Sequence, residues 1–82
     1  MRRGYMQDLG NIVRYHRKRA GLTQLELAVL AGIGKATVFD IEKGKATVQL
    51  SSLERALRAL NIRIRLESPL MEEYEKSTRI RS

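Results

Sequence analysis

The residues that could run a reaction are missing from this chain. It has one histidine, no cysteine, no glycine loop that could cradle a phosphate and no carboxylate pair with a plausible cleft. Without cysteine there is no thiol nucleophile, zinc-thiolate site or disulfide framework. His16 sits on the apolar stripe of a helix, where a satisfied core histidine is expected rather than a general base. No enzyme, cofactor or metal is therefore expected, and the chemistry that remains is binding. The net charge of +7 and a pI near 10.4 suit a polyanionic partner. Residues 1–21 carry about +5, residues 22–44 about −1, residues 45–68 about +3, and residues 69–82 cancel. Positive charge thus flanks a near-neutral middle, and that middle is the block TQLELAVLAGIGKATVFDIEKG, residues 23–44.

Four helices must position this block. Apolar residues at Leu9, Ile12, Val13, His16 and Ala20 make a helical stripe, with Asp8 as N-cap and Gly21 past its end. Thr23 and Glu26 form a capping box that opens a second helix, whose inner face is Leu27, Ala28 and Ala31 and which Gly32 stops. A third helix runs from about Lys35 to Lys43, burying Val38 and Ile41, with Gly44 ending it. In the fourth, Leu50, Leu53, Leu57 and Leu60 repeat on one side with Ala56, and Asn61 closes it in the left-handed conformation. NIRIRLES, residues 61–68, alternates Ile62, Ile64 and Leu66 against Arg63, Arg65 and Glu67, the period of a half-buried strand. Pro69 ends it, and the charged tail reads as flexible, or as weakly helical until something binds it.

The expected organisation is an N-terminal arm (1–8, with Arg2 and Arg3), one domain (9–68) and a flexible tail (69–82). No apolar run approaches the roughly 20 residues of a membrane span, and no apolar segment follows Arg2 and Arg3 as a secretory signal requires. A cytoplasmic protein with no membrane partner is expected.

Two short helices around a glycine turn describe a helix-turn-helix. Ala28 is small where the helices cross, Gly32 supplies a left-handed turn, and Ile33, Val38 and Ile41 fill the wedge between them. The stretch GLTQLELAVLAGIGKATVFDIEKGKATVQLSSLERALRAL resembles the Xre (Cro/C1-type) family of repressors, without gaps from about Leu9 to Asn61. Four helices followed by a strand resemble, within that family, the HipB-like antitoxins, which repress the operon of a HipA-like kinase toxin. The resemblance implies an all-α, lambda-repressor-like bundle of four helices plus one short strand.

It also implies a site. The residue matching Gln24, beside Thr23, bonds a DNA phosphate at an exposed helix N-terminus. Lys35, Ala36 and Thr37 face base edges in the major groove, with Phe39 and Asp40 one turn on. Lys35 could donate to guanine O6 and N7, while Ala36, the Thr37 methyl or Phe39 could press on a thymine methyl. Phe39 either does this or packs internally, and Asp40 repels phosphate unless it accepts from a cytosine amine. Lys43 and Lys45 meet phosphates. Glu42 is structural and pairs with Arg17, which follows Val13 by four residues and so borders the buried stripe.

The strand has no partner within the chain, and an unpaired strand with an apolar face invites association. It is expected to pair antiparallel with a second copy, Ile62, Arg63, Ile64, Arg65 and Leu66 forming an intersubunit two-stranded sheet over the leucines of the fourth helices. The whole then reads as a homodimeric antitoxin that binds double-stranded operator DNA and a HipA-like kinase toxin. Alternatives are a stand-alone Xre-type repressor and a non-specific architectural DNA-binding protein.

Overall fold

Four helices of this chain end in the same way, and their closures set the fold. The structure is a computed structural model that describes residues 4–81. Arg2 and Arg3 of the expected arm lie outside those residues, as does the side chain of Ile80. The helices are α1 (Tyr5–Arg19), α2 (Gln24–Ala31), α3 (Lys35–Glu42), α4 (Leu50–Ala59) and α5 (Met71–Arg81). Gly21, Gly32, Gly44 and Asn61 each take positive φ after one of the first four. The next amide then turns back on the helix. Leu22 donates to the Arg17 carbonyl (3.1 Å), Ile33 to Ala28 (3.0 Å), Lys45 to Asp40 (3.0 Å) and Ile62 to Leu57 (2.8 Å). Each closure satisfies carbonyls that the helix end leaves free and sends the chain off at a sharp angle.

The core is Val13 from α1, Leu27 and Ala28 from α2, Val38 and Ile41 from α3, and Leu53, Ala56 and Leu57 from α4. Met6, Leu9, Ile33, Val48, Leu60 and Ile62 pack around it. α3 packs on α1, α2 and α4, and α2 also packs on α4. Two close approaches bring α1 onto the end of α3. A Cβ on Gly10 would collide with the Ile41 carbonyl and stand 2.8 Å from that of Glu42. A Cβ on Gly44 would stand 2.8 Å from the Gln7 Cα. Only glycine lets the two backbones meet so closely.

Several expectations need correction. α1 starts at Tyr5 with Gly4 as N-cap, so Asp8 is a first-turn acid, favourably placed against the helix dipole, and not the cap. The inner face of α1 is Gly10, Val13 and Arg17. His16 is rotated off it and exposed, its Nδ1–H donating to the Ile12 carbonyl at 2.7 Å, so it is no core histidine. Ile12 and Ala20 are exposed too. Leu50, as first residue of α4, lies outside the packed stripe.

The segment expected as a strand forms no ladder among the described residues. Ile62 packs on the core, but Ile64 and Leu66 are 52% and 75% exposed. A strand needs a second strand, and the rest of the described chain is helix and turn. Of the tail expected as flexible or weakly helical, residues 71–81 form α5, with acids Glu72 and Glu73 in its first turn and a Lys76–Glu72 pair at 3.3 Å one turn apart. No helix among the described residues is long and apolar enough to cross a membrane.

Candidate nucleic-acid interface

The N-terminus of α2 is built by the expected capping box. Glu26 N–H donates to Thr23 Oγ1 (3.0 Å), and Thr23 N–H donates to Glu26 Oε1 (2.8 Å). The next two amides in the first turn, those of Gln24 and Leu25, have no acceptor within the helix and are available to an anion.

Behind this terminus lies a buried ion pair. Arg17 Nε and Nη2 donate to the two Glu42 oxygens at 2.6 and 3.0 Å, and Nη1 donates to the Leu22 carbonyl at 2.9 Å. The two side chains are 11% and 5% exposed. The bond to Glu42 raises the Arg17 pKa, burial opposes that rise, and the charge of Glu42 adds to it. A carboxylate at the end of α3 stands against the helix dipole, and the bidentate arginine offsets that disadvantage. Gln24 Nε2 also donates to Glu42 Oε1 (3.2 Å). One carboxylate therefore ties α1, α2 and α3 together and holds the Gln24 side chain.

Val38 and Ile41 face the core, which turns Lys35, Ala36 and Phe39 outward, with Lys43 following at the helix end. Phe39 is 48% exposed, so it is not packed inside. The Lys43 ammonium lies 5.2 Å from its ring centroid. Thr37 and Asp40 are half-buried and line a shallow groove with Val48, Gln49 and Ser52. Lys45 Nζ stands 3.8 Å from Asp40 Oδ2, so the carboxylate expected to repel phosphate has a cation beside it.

The structure thus gathers Gln24, Phe39, Glu42 and Lys43 around one cleft, which Arg14 and Arg17 also line. Thr23, Lys35, Ala36 and Lys45 are exposed but do not line it. Ile62, Arg63 and Ile64 belong to another groove, formed with Glu54, Leu57 and Arg58 of α4. Arg14 went unremarked in the sequence. Its signal was its place three residues before Arg17, on the same side of α1. The bond between Gln24 and Glu42 had no signal in the sequence. Among the described residues, no group of three or more acidic or histidine side chains could hold a metal ion.

The helix-turn-helix family HTH_3 matches residues 13–66. An uncharacterized HTH-type transcriptional regulator, y4mF of Sinorhizobium fredii, is 39% identical over 62 residues, covering 76% of this chain and 82% of that protein. Antitoxin HigA1 of Mycobacterium tuberculosis is 38% identical over 68 residues, which cover 80% of this chain but 46% of HigA1. Among solved structures, a chain of a HipA–HipB–O2–O3 complex superposes with a TM-score of 0.72 at 26% identity, covering 84% of this chain and 97% of that one. The geometry of α2 and α3 and the match along residues 13–66 agree: the chain belongs to the HTH_3 (Xre-type) helix-turn-helix family.

Proposed function

We propose that this protein is a dimeric repressor that binds double-stranded operator DNA and serves as antitoxin to a HipA-like kinase, controlling the operon that encodes both. It acts in the cytoplasm, where that DNA is. The observation that carries the DNA reading is the cleft joining Gln24, Phe39 and Lys43 beside the outward start of α3. α3 enters the major groove. Lys35 donates to guanine O6 and N7, and Ala36, the Thr37 methyl and Phe39 lie against thymine methyls. A phosphate sits on the first amides of α2, held by Gln24 and by Arg14, while Lys43 and Lys45 take neighbouring phosphates. Glu42 acts at one remove, as the anchor that keeps the Gln24 side chain in place.

The toxin reading draws on the likeness to a HipA–HipB–O2–O3 complex and on the relative named as an antitoxin. A stand-alone transcriptional regulator is the second reading, favoured by the 39% identical relative described only as an HTH-type regulator. Purification from the native operon separates them. A kinase held in stable stoichiometry supports the antitoxin, whereas recovery of the protein alone with its DNA leaves the stand-alone regulator.

In the dimer, the segment that begins at Ile62 pairs antiparallel with the same segment of the second copy. Ile64 and Leu66 are 52% and 75% exposed, so completing their burial is worth roughly 1–2 kcal/mol each, or about 4–8 kcal/mol for two chains. Association costs about 4–15 kcal/mol. The strands alone are close to break-even, and further surface must join them.

A further inference from the structure

We infer that the cleft between residues 64–68 and the start of α5 receives residues 62–66 of a second copy of this chain, with the strands in register about Arg65 and α5 closing over the partner. The inference rests on the strand-paired dimer proposed above and says where its missing surface lies. Ile64, Leu66 and Met71 give the cleft an apolar lining, and among its lining residues Glu67, Glu72 and Glu75 outnumber Arg65, with Glu67 paired to Arg65 and Glu72 to Lys76 through exposed, exchangeable contacts. Helix α5 is unlike the others. Met71 is half-buried, but every side chain from Glu72 to Thr78 is exposed, and Leu70 and Tyr74 stand 67% and 62% exposed.

What fits an acidic cleft with an apolar lining is an extended basic segment that alternates with apolar residues, and this chain carries one. Ile62 to Leu66 holds Arg63 and Arg65 between its apolar residues, and both arginines are exposed. The pair of Arg65 with Glu67 spans 3.6 Å between side chains 85% and 74% exposed, a contact readily exchanged for a better one. Cleft and insert belong to the same molecule, so two copies satisfy each other about a two-fold axis with nothing left over.

Charge and pleat select the register. Directly opposed residues share a face, so apolar positions must oppose apolar positions. Centring the axis on Arg65 sets Ile64 against the partner's Leu66 and Arg63 against the partner's Glu67. Centring it on Ile64 sets Arg63 against the partner's Arg65 twice, which is repulsive. Centring it on Leu66 sets Arg65 against the partner's Glu67, but it leaves the central Ile64 facing the partner's Ser68 and Arg63 facing the partner's Pro69, which cannot donate to a ladder. The favoured register has two unfavourable features: Ile62 at the edge of the pairing faces the partner's Ser68, and two Arg65 side chains meet at the axis. Glu72 and Glu75 line the same cleft as Arg65 and supply the counter-charge there.

The test measures dimer dissociation of the full-length protein by sedimentation equilibrium at low and high salt. Glu72→Lys/Glu75→Lys should weaken the dimer about tenfold or more at low salt, the loss shrinking as salt screens it. Arg63→Glu should weaken it as well, and Arg63→Glu/Glu67→Arg should restore it. A dimer tightened by Arg63→Glu would overturn the register, because that sign belongs to the alignment about Ile64. Unchanged dissociation in the α5 double variant would overturn the closing role of α5, and so would loss of a co-purifying kinase with dimerisation intact, which would give the cleft to that partner. Ile64→Pro tests the underlying dimer separately. If it stays dimeric, the strand-paired reading itself fails.

Discussion

Replacing Glu42 by glutamine keeps the size and shape of the side chain and removes its charge. Three donors converge on the carboxylate, two from Arg17 and one from Gln24. An amide has one acceptor oxygen, and its NH2 group would face a donor. Arg17, 11% exposed at its side chain, would remain charged in a nearly dry site. Breaking such a pair from one side costs about 3–5 kcal/mol, and some residual solvent contact favours the lower end, about 3 kcal/mol. For a domain of this size that lowers the melting temperature by roughly 12–24 °C. Urea unfolding at fixed protein concentration is the assay, since the proposed dimerisation would add a concentration-dependent share of stability. Arg17→Met/Glu42→Met provides the decisive comparison. It buries no unpaired charge and loses chiefly the Arg17 bond to the Leu22 carbonyl, about 1 kcal/mol, so it should be more stable than Glu42→Gln. A Glu42→Gln protein within about 1 kcal/mol of wild type, or a double variant at least as damaged, would refute the reasoning. The alkaline side gives a further check. The Arg17 pKa is raised in the folded state, so the arginine's stabilising share is complete below its ordinary value and is lost only as pH rises through the raised one. Titration to about pH 10 should leave that share intact.

Lys35→Ala should cost about 1–3 kcal/mol of specific binding and relax preference at one base position, whereas Gln24→Ala should weaken all sequences alike. Equal losses on specific and random DNA for Lys35→Ala, read by fluorescence anisotropy, would remove its base-reading role. Gly10→Ala puts a Cβ against the carbonyls of Ile41 and Glu42, so α1 must shift off α3 at a cost of about 1–3 kcal/mol or more in urea unfolding. A neutral result there would mean that the α1–α3 crossing adjusts freely. Deleting residues 69–82 should weaken binding of the kinase toxin if Leu70, Met71 and Tyr74 contact it; unchanged affinity by calorimetry would restrict that contact to the helical body.

What the sequence made legible follows from the distance over which each feature is decided. Thr23 and Glu26 stand three residues apart and form the expected box, and Gly21, Gly32, Gly44 and Asn61 close helices because positive φ is a property of one residue. Val38, Ile41, Leu53 and Leu57 were visible as core because their spacing and hydropathy agree. On α1 the two disagreed. Its buried face is Gly10, Val13 and Arg17, and neither a residue without a side chain nor a charged one registers as apolar. The stripe that hydropathy drew was rotated toward Ile12 and His16, which are exposed. Arg17 could be placed only through the resemblance to repressors, because its partner Glu42 is 25 residues away and on another helix. A separation of 18 residues likewise hid the bond that holds Gln24, although it decides where the side chain proposed to bind phosphate points. At the far end, Ile64 and Leu66 show a strand's alternation while no strand among the described residues meets them. Period-2 alternation is a local property of the sequence, whereas a ladder needs a second strand, so the pattern was legible at residues 62–66 while the strand it suggested did not form. Under the dimer proposed above, a second copy would supply the missing partner.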